Sequence, residues 1–161
     1  MTTVLVVYHS QSGNVAKMAQ AVAEGAKEGG ADVVVKEVDE ATLDDLAAAD
    51  GIILGAPTYF GTLSAEMKGF IDKSVRIRGR LEDKVGAAFT SSGSPTGGNE
   101  TTLLSIIQGM LIHGMVIVGE PIETGGHYGA VSVGAPDAGA LIACRKLGER
   151  VAKLAKVLGS A

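Results

Sequence analysis

Tryptophan is absent from this chain of 161 residues, and aromatic residues of any kind make up only 4%. Cysteine occurs once, as Cys144. No internal disulfide can form, which fits a reducing compartment such as the cytoplasm. Positive charge is also short: 14 Lys and Arg stand against 18 Asp and Glu, a formal net charge of -4. That balance lacks the basic footprint of a nucleic-acid binder. No apolar run is long enough to span a bilayer. The N-terminus has no basic segment leading into a long apolar one, so a cytoplasmic protein without a membrane span is expected. Internal repeats, linkers and low-complexity tracts are missing too. What is present is a globular balance, with 46% hydrophobic and 20% charged residues, and 23 glycines. The glycines follow no fixed period, which excludes collagen, and they cluster at a few turns.

Short apolar runs alternate with helical patterns. Strands are expected at Val4–Tyr8, Val33–Val38, Gly51–Ala56, Val85–Phe89 and Met115–Gly119. The first is a continuous β-branched-rich run, as a strand buried on both faces requires. The second carries charge at its end and reads as an edge strand. The first helix shows an apolar stripe at Val15, Met18, Ala19, Val22 and Ala26, the spacing of one helix face. Thr42 with Asp45 forms a reciprocal capping pattern. Ser64, Asn99 and Asp137 open three further helices. Cys144 falls on the buried stripe of the last helix, among Leu141, Leu147, Val151, Leu154 and Leu158, and reads as a core residue. Five strands alternating with five helices demand a parallel sheet covered on both faces by right-handed crossovers. The expected fold is a single three-layer α/β/α domain over residues 1–161, with strand order 2-1-3-4-5. Glu120–Pro136 is a glycine-rich segment of 17 residues, longer than an ordinary connection. It contains His127 and Tyr128, placed either at the mouth of a site or in subunit contacts.

In such a sheet, ligands bind beyond the carboxyl ends of the strands, at the switch point. Three connections there carry suitable residues. Ser10, Gln11, Ser12, Gly13, Asn14 and Val15 lie between a buried strand and a helix N-terminus, whose free N–H groups and dipole attract an anion. Hydroxyl and amide side chains add donors, and Gly13 allows a close turn. No Lys or Arg is present, so a phosphate would be held by neutral groups. A helix cap with a turn glycine explains this loop equally well. The nucleoside-triphosphate motif Gly-x-x-x-x-Gly-Lys-[Ser/Thr] and the dinucleotide motif Gly-x-Gly-x-x-Gly are both absent. So are the acidic residues by the first strand that a receiver domain needs for Mg²⁺, and no metal is called for. Pro57, Thr58, Tyr59, Phe60 and Gly61 bring two adjacent aromatics past the third strand. Phe60 can point into the core while Tyr59 covers a flat ring, or both can pack on the helix below. Ser91, Ser92, Gly93, Ser94, Pro95, Thr96, Gly97 and Gly98 are small enough to expose backbone groups to the polar edge of a heterocycle.

With these residues the chain resembles the flavodoxin-like FMN proteins, and is most similar to the NAD(P)H:quinone oxidoreductases of the tryptophan-repressor-binding-protein type. The likeness runs through Ala21–Ala26, Pro57-Thr58 with Phe60-Gly61, Met67–Asp72, Ser91–Glu100, His113–Val118 and Tyr128–Ala130. The resemblance implies FMN, with its phosphate on Ser10–Val15 and its isoalloxazine against Thr58–Phe60 and Ser91–Gly98. It also implies His113 beside the ring, reached from a neighbouring loop, and a homo-oligomer, dimeric or tetrameric, with flavin sites near subunit contacts. Three features depart from the family. Ser12 stands where the reductases carry tyrosine. The pocket tryptophan after the third helix is missing. So is the long insertion between the second and third strands.

Flavin carries the redox chemistry in such a site, and the protein supplies placement and electrostatics. The expected activity is electron transfer from NADH or NADPH through FMN to a quinone-like acceptor, with His113 or Tyr59 orienting the acceptor or assisting protonation. A one-electron carrier for a redox protein and a flavin-binding regulatory module without turnover are the other readings. A net charge of -4 is weak for a carrier that docks by electrostatic steering. Arg76, Arg78, Arg80 and Lys84 form a basic patch, read as a solvated loop or as a dock for an acidic partner or a nucleotide phosphate.

Overall fold

The fold was obtained as a computed structural model, which describes residues 1–159. Its elements are β1 (Thr3–Tyr8), α1 (Asn14–Glu28), β2 (Asp32–Glu37), α2 (Leu43–Ala48), β3 (Gly51–Tyr59), β4 (Thr62–Leu63), α3 (Ala65–Lys73), β5 (Val85–Ser92), α4 (Asn99–Ile112), β6 (Val116–Ile117), β7 (Ala130–Val133) and α5 (Ala138–Gly159). Short 3-10 turns follow α3 at Ser74–Ile77 and fall between β6 and β7 at Ile122–Thr124. The sheet runs β2-β1-β3-β5-β6, the expected flavodoxin-like order once the short β4 hairpin is set aside. β2 is at the edge, as its charge foretold.

The alternation of β1 explains the two-layer core. Val4 and Val6 enter a cluster with Met18, Val22, Leu147 and Val151 of α1 and α5. Leu5 and Val7 face the other way, onto a cluster with Leu46, Met67, Phe70 and Ile106 of α2, α3 and α4. α1 and α5 approach closely because glycines line their contact. A Cβ on Gly148 would lie 2.0 Å from Val22 O, and one on Gly25 would lie 1.8 Å from Arg145 O. The Thr42–Asp45 capping box is present in full. Asp137 Oδ1 accepts from the Ala140 amide at 2.8 Å. Cys144 is buried in the first cluster, and burial pushes its thiol up to about 12.

Two strand expectations are corrected. The third strand does not end at Ala56 but continues through Pro57 to Tyr59, with Pro57 in register with Ser91. The expected fifth strand, Met115–Gly119, survives only as Val116–Ile117. β7 then takes the same flank of the sheet, pairing in parallel with Phe89–Ser92 of β5. Glu120–Pro136 is therefore not one long loop. The chain leaves the sheet after Val118, whose amide donates to Gly86 O at 3.0 Å. Gly119 packs on His127 O so closely that a Cβ would lie 1.9 Å away, and Pro121 has no amide to extend a ladder. The excursion is tied at its base by Glu120. That side chain is buried, and its Oε1 accepts from the His127 amide at 3.0 Å and from His127 Nδ1 at 2.9 Å.

Candidate functional site

The register Tyr8–Gly55–Phe89 places the carboxyl ends of β1, β3 and β5 at one edge of the sheet. From β1 the chain crosses one way to β2, and from β2 it crosses back to β3 on the other side of β1. The loops after β1, β3 and β5 therefore meet at the switch point, where an α/β sheet leaves a crevice.

The first loop leads into α1. Gly13, at φ +91°, is its N-cap and has no side chain with which to cap the helix. The first-turn amides of Asn14 and Val15 consequently lack partners in the helix ladder. Ser10 Oγ accepts from the Ala16 amide at 3.2 Å, which folds the loop back on the helix start. Val15 is buried in the core, so it can offer a ligand only its amide. α2, α3 and α4 each carry an acidic residue in the first turn, whereas α1 has none. This terminus keeps its positive dipole end uncompensated, which is the local condition for holding an anion.

The second loop faces the first. Tyr59 Oη donates to Gln11 Oε1 at 2.6 Å, and its ring meets His9 edge-on at 6.2 Å. Burial, then Glu66, raises the Tyr59 phenol above its ordinary value. Phe60 does not enter the core. It has a positive φ of 47° and is fully exposed at 108%. A bulky residue on left-handed backbone is strained and is characteristic of functional sites. Its neighbour Gly61 touches Gly98 of the third loop, where a Cβ would lie 2.6 Å from Gly61 Cα. The Thr101 hydroxyl donates to Gly61 O and secures the same junction. Below it is a chain of hydroxyls: Thr102 Oγ1 lies 2.9 Å from Thr58 Oγ1, and Thr58 Oγ1 lies 3.1 Å from Thr90 Oγ1. Thr90 in turn donates to Ala56 O at 2.6 Å.

In the third loop, Ser91 and Ser92 are buried. Ser91 Oγ donates to Gly134 O at 2.9 Å, and Ser92 Oγ donates to Ser94 O at 2.8 Å. Their hydroxyls are spent on holding the loop. Gly93, Ser94, Pro95 and Thr96 are the exposed part, followed by the Gly97 turn and by Gly98, the left-handed N-cap of α4.

The structure thus brings together every expected residue of the three loops and leaves out His113. His113 caps the opposite end of α4, where the Met115 amide returns to Met110 O and Val116 pairs with Val85, the first residue of β5. The physical reason is the length of α4. Its 14 residues carry the chain about 21 Å back along the sheet. His113 Nε2 lies 2.7 Å from Ser74 Oγ, which donates to Ile71 O, so Nε2 carries the proton. Burial, then Arg78, holds its pKa below the ordinary value. Within one chain His113 is not beside the FMN loops. The helix pattern from Asn99 to Leu111 already contained this result, because a βα unit returns its helix to the far edge of the sheet. His127 and Tyr128 lie on the β7 flank and line a cleft of about 360 Å³ with Asn99 and Glu100.

Sequence reasoning missed four supporting residues: His9, Ser64, Thr90 and Thr102. Ser64 sits at the N-cap of α3, but its hydroxyl makes no cap bond; it pairs with His9 Nδ1 at 2.9 Å instead. Glu66 Oε2 lies 3.6 Å from the same nitrogen. Only the Ser-before-helix signal was visible locally, and it pointed to capping.

FMN fits this donor set. A carboxylate-free helix start with a glycine N-cap suits its phosphate, and two glycine-joined loops offer an aromatic pair and exposed backbone to its ring. Comparison with known proteins agrees. Residues 37–127 match the family described as NADPH-dependent FMN reductase. A protein of Archaeoglobus fulgidus named NAD(P)H dehydrogenase (quinone) is 42% identical over 98% of this chain and 100% of its own length. One of Azorhizobium caulinodans with the same name is 42% identical, over 98% of this chain and 99% of its own. A solved flavodoxin, a WrbA-like protein from Agrobacterium tumefaciens, superposes with a TM-score of 0.85 at 33% identity, covering 98% of this chain and 99% of that one. The crevice at the switch point is therefore that of a known lineage: the chain belongs to the NADPH-dependent FMN reductase family, among the flavodoxin-like relatives named NAD(P)H dehydrogenase (quinone).

Proposed function

We propose that this protein is an FMN-dependent oxidoreductase that passes electrons from NAD(P)H to a quinone-like acceptor. The observation that carries this reading is the α1 N-terminus. It alone among the first four helices lacks a first-turn carboxylate, and it opens at the switch point between two loops joined at Gly61 and Gly98. Bound FMN would supply the two-electron chemistry.

The residues divide into three roles. The amides of Gly13, Asn14 and Val15, with the side chains of Ser10, Ser12 and Asn14, hold the phosphate. Thr58, Tyr59 and Phe60 form one wall of the ring site, and Gly93–Gly98 form the other with backbone donors and acceptors. Tyr59 keeps its proton at neutral pH, since its phenol is held above the ordinary value. By giving up its bond to Gln11, it can donate a hydrogen bond to an acceptor at the exposed rim. Phe60 and Tyr59 are the only aromatics on these loops. Any ring stacking from these loops therefore falls to them.

The test is direct. The purified protein is expected to quench FMN fluorescence and to show a flavin visible spectrum. The FMN-loaded protein is expected to bleach with NADH or NADPH and to recover its colour with benzoquinone. No FMN binding would overturn the reading. Bleaching by dithionite but by neither nucleotide would make the protein a one-electron carrier. The relation to archaeal and bacterial flavodoxins, at TM-scores of 0.81 and 0.78, gives that alternative its footing. Exposed Val75, Leu111 and Ile112 support self-association as a dimer or tetramer, which sedimentation of the loaded protein would measure.

A further inference from the structure

We infer that the cleft between α4, β7 and α5 binds an aliphatic diamine, with one ammonium on the buried carboxylate of Glu120 and the other on Glu100 at the rim. This ligand is separate from those of the proposed reaction, and its binding does not depend on which nucleotide or acceptor that reaction uses.

The cleft has a volume of about 360 Å³, within the range of small-molecule sites. Glu120 lines it and is only 3% exposed. Its two oxygens differ. Oε1 accepts from the His127 amide and from His127 Nδ1. Oε2 is buried and has no hydrogen-bond partner among the described residues. A carboxylate oxygen taken out of water without a donor is costly, so native structures rarely leave one unmet. No Lys or Arg lines the cleft. Arg150 comes close, but its Nη1 donates to main-chain carbonyls, Gly119 O at 2.9 Å and Glu120 O at 3.3 Å. A neutral His127 imidazole is enough to bond Oε1, and it leaves the carboxylate charge uncancelled.

Helix dipoles do not account for this charge. α4 and α5 both start beside the cleft, but each start has a carboxylate of its own: Glu100 in the first turn of α4, and Asp137, whose Oδ1 accepts from the Ala140 amide at 2.8 Å. Glu120 is a third negative group where the positive helix ends are already met. The group that satisfies Oε2 must therefore donate a hydrogen bond and carry positive charge. A metal ion needs several ligands, and among the described residues no three His, Cys, Asp or Glu side chains come together to hold one. An ammonium needs only an acceptor for each of its N–H groups. The walls suit the alkyl chain behind it. Leu103 is apolar, and Ala140 and Ala143 on α5 are small enough to leave room. Tyr128, exposed on the same cleft, presents a ring that attracts a cation. Glu100 is exposed at the rim and takes the second ammonium.

The experiment is a calorimetric titration of the FMN-loaded full chain with diaminobutane, butylamine and butanediol. The diamine is expected to bind, the monoamine to bind about threefold or more weakly for want of the exposed Glu100 contact, and the uncharged diol not to bind. Glu120→Gln keeps the shape and an acceptor for His127 but replaces Oε2 with an amide nitrogen. It is expected to weaken both amines by about tenfold or more. Glu100→Gln is expected to remove the advantage of the diamine and to leave butylamine within about twofold of its original affinity. Ala140→Leu narrows the cleft without changing charge and is expected to weaken both amines, which decides the matter if Glu120→Gln does not fold. No binding of the diamine to the unaltered protein would overturn the inference. So would equal affinity in the Glu120 variant, or a diol that binds as tightly as the diamine. A diamine advantage that survives Glu100→Gln would overturn the placement of the second ammonium. The titration contains no nucleotide, so a protein whose flavin neither NADH nor NADPH reduces fails the proposed reaction and leaves this result untouched.

Discussion

Tyr59 shows how one side chain couples two loops. Its hydroxyl reaches Gln11, so the wall of the ring site and the phosphate loop share a hydrogen bond. Tyr59→Phe keeps the ring and removes that bond, which is worth about 1 kcal/mol. The expected result is FMN affinity weaker by roughly fivefold with an unchanged far-ultraviolet circular dichroism spectrum, measured by fluorescence titration. His113 acts on stability instead. Its pKa is held below the ordinary 6.5 by burial and by Arg78. As pH falls through 6.5, the unfolded chain takes up a proton that the folded chain resists, so folding weakens towards acid until the folded pKa is passed. His113→Gln removes this titration. Urea midpoints measured for both proteins are expected to show a smaller loss below pH 6.5 in the variant.

At the scale of elements, the decisive contacts are backbone against backbone. α1 and α5 pack with Gly25 and Gly148 in their seam, and α1 is the helix whose start is proposed to hold the phosphate. Gly148→Ala would bring a methyl within 2.0 Å of Val22 O. Forcing the helices apart costs about 2 kcal/mol or more, despite alanine's better helix propensity. A lower thermal midpoint together with weaker FMN binding would show that the seam sets the position of α1. The same logic applies where Gly61 meets Gly98, with the consequence falling on the ring site. The split of the fifth strand matters here too: Ser91 and Ser92 are held by Gly134, just past β7, so the returning strand braces the third loop.

For the whole molecule, cofactor and fold are linked. A ligand that binds only the folded chain stabilises it by about 2.7 kcal/mol at a hundredfold excess over Kd. Calorimetric scans with increasing FMN are expected to show a rising midpoint. Gly13→Val, at a position of φ +91° with open space around it, is expected to flatten that rise by straining the loop without a steric clash. An equal rise in the variant would remove Ser10–Val15 as the phosphate site.

The order of strands and helices and the composition of the three loops were legible in the sequence, because periodicity, caps and turn residues are local signals. Val4–Tyr8 could only be a strand buried on both faces, and a small, hydroxyl-rich segment before the α1 stripe could only stand at a helix start. The membership of the site was a tertiary matter. Thr90 and Thr102 look like ordinary strand and helix residues until β3, β5 and α4 bring their hydroxyls to Thr58. Ser64 reads as a cap until His9 arrives from another strand. The fifth strand is divided because Gly119 and Pro121 meet packing partners and ladder requirements that no local window contains. His113 sits in a recognisable motif, and the direction of α4 carries it away from the loops that motif suggested. The sequence by itself determined that a hydroxyl-rich helix start with a turn glycine would follow β1. Only the tertiary structure decided which side chains face it, because that depends on contacts between residues far apart along the chain.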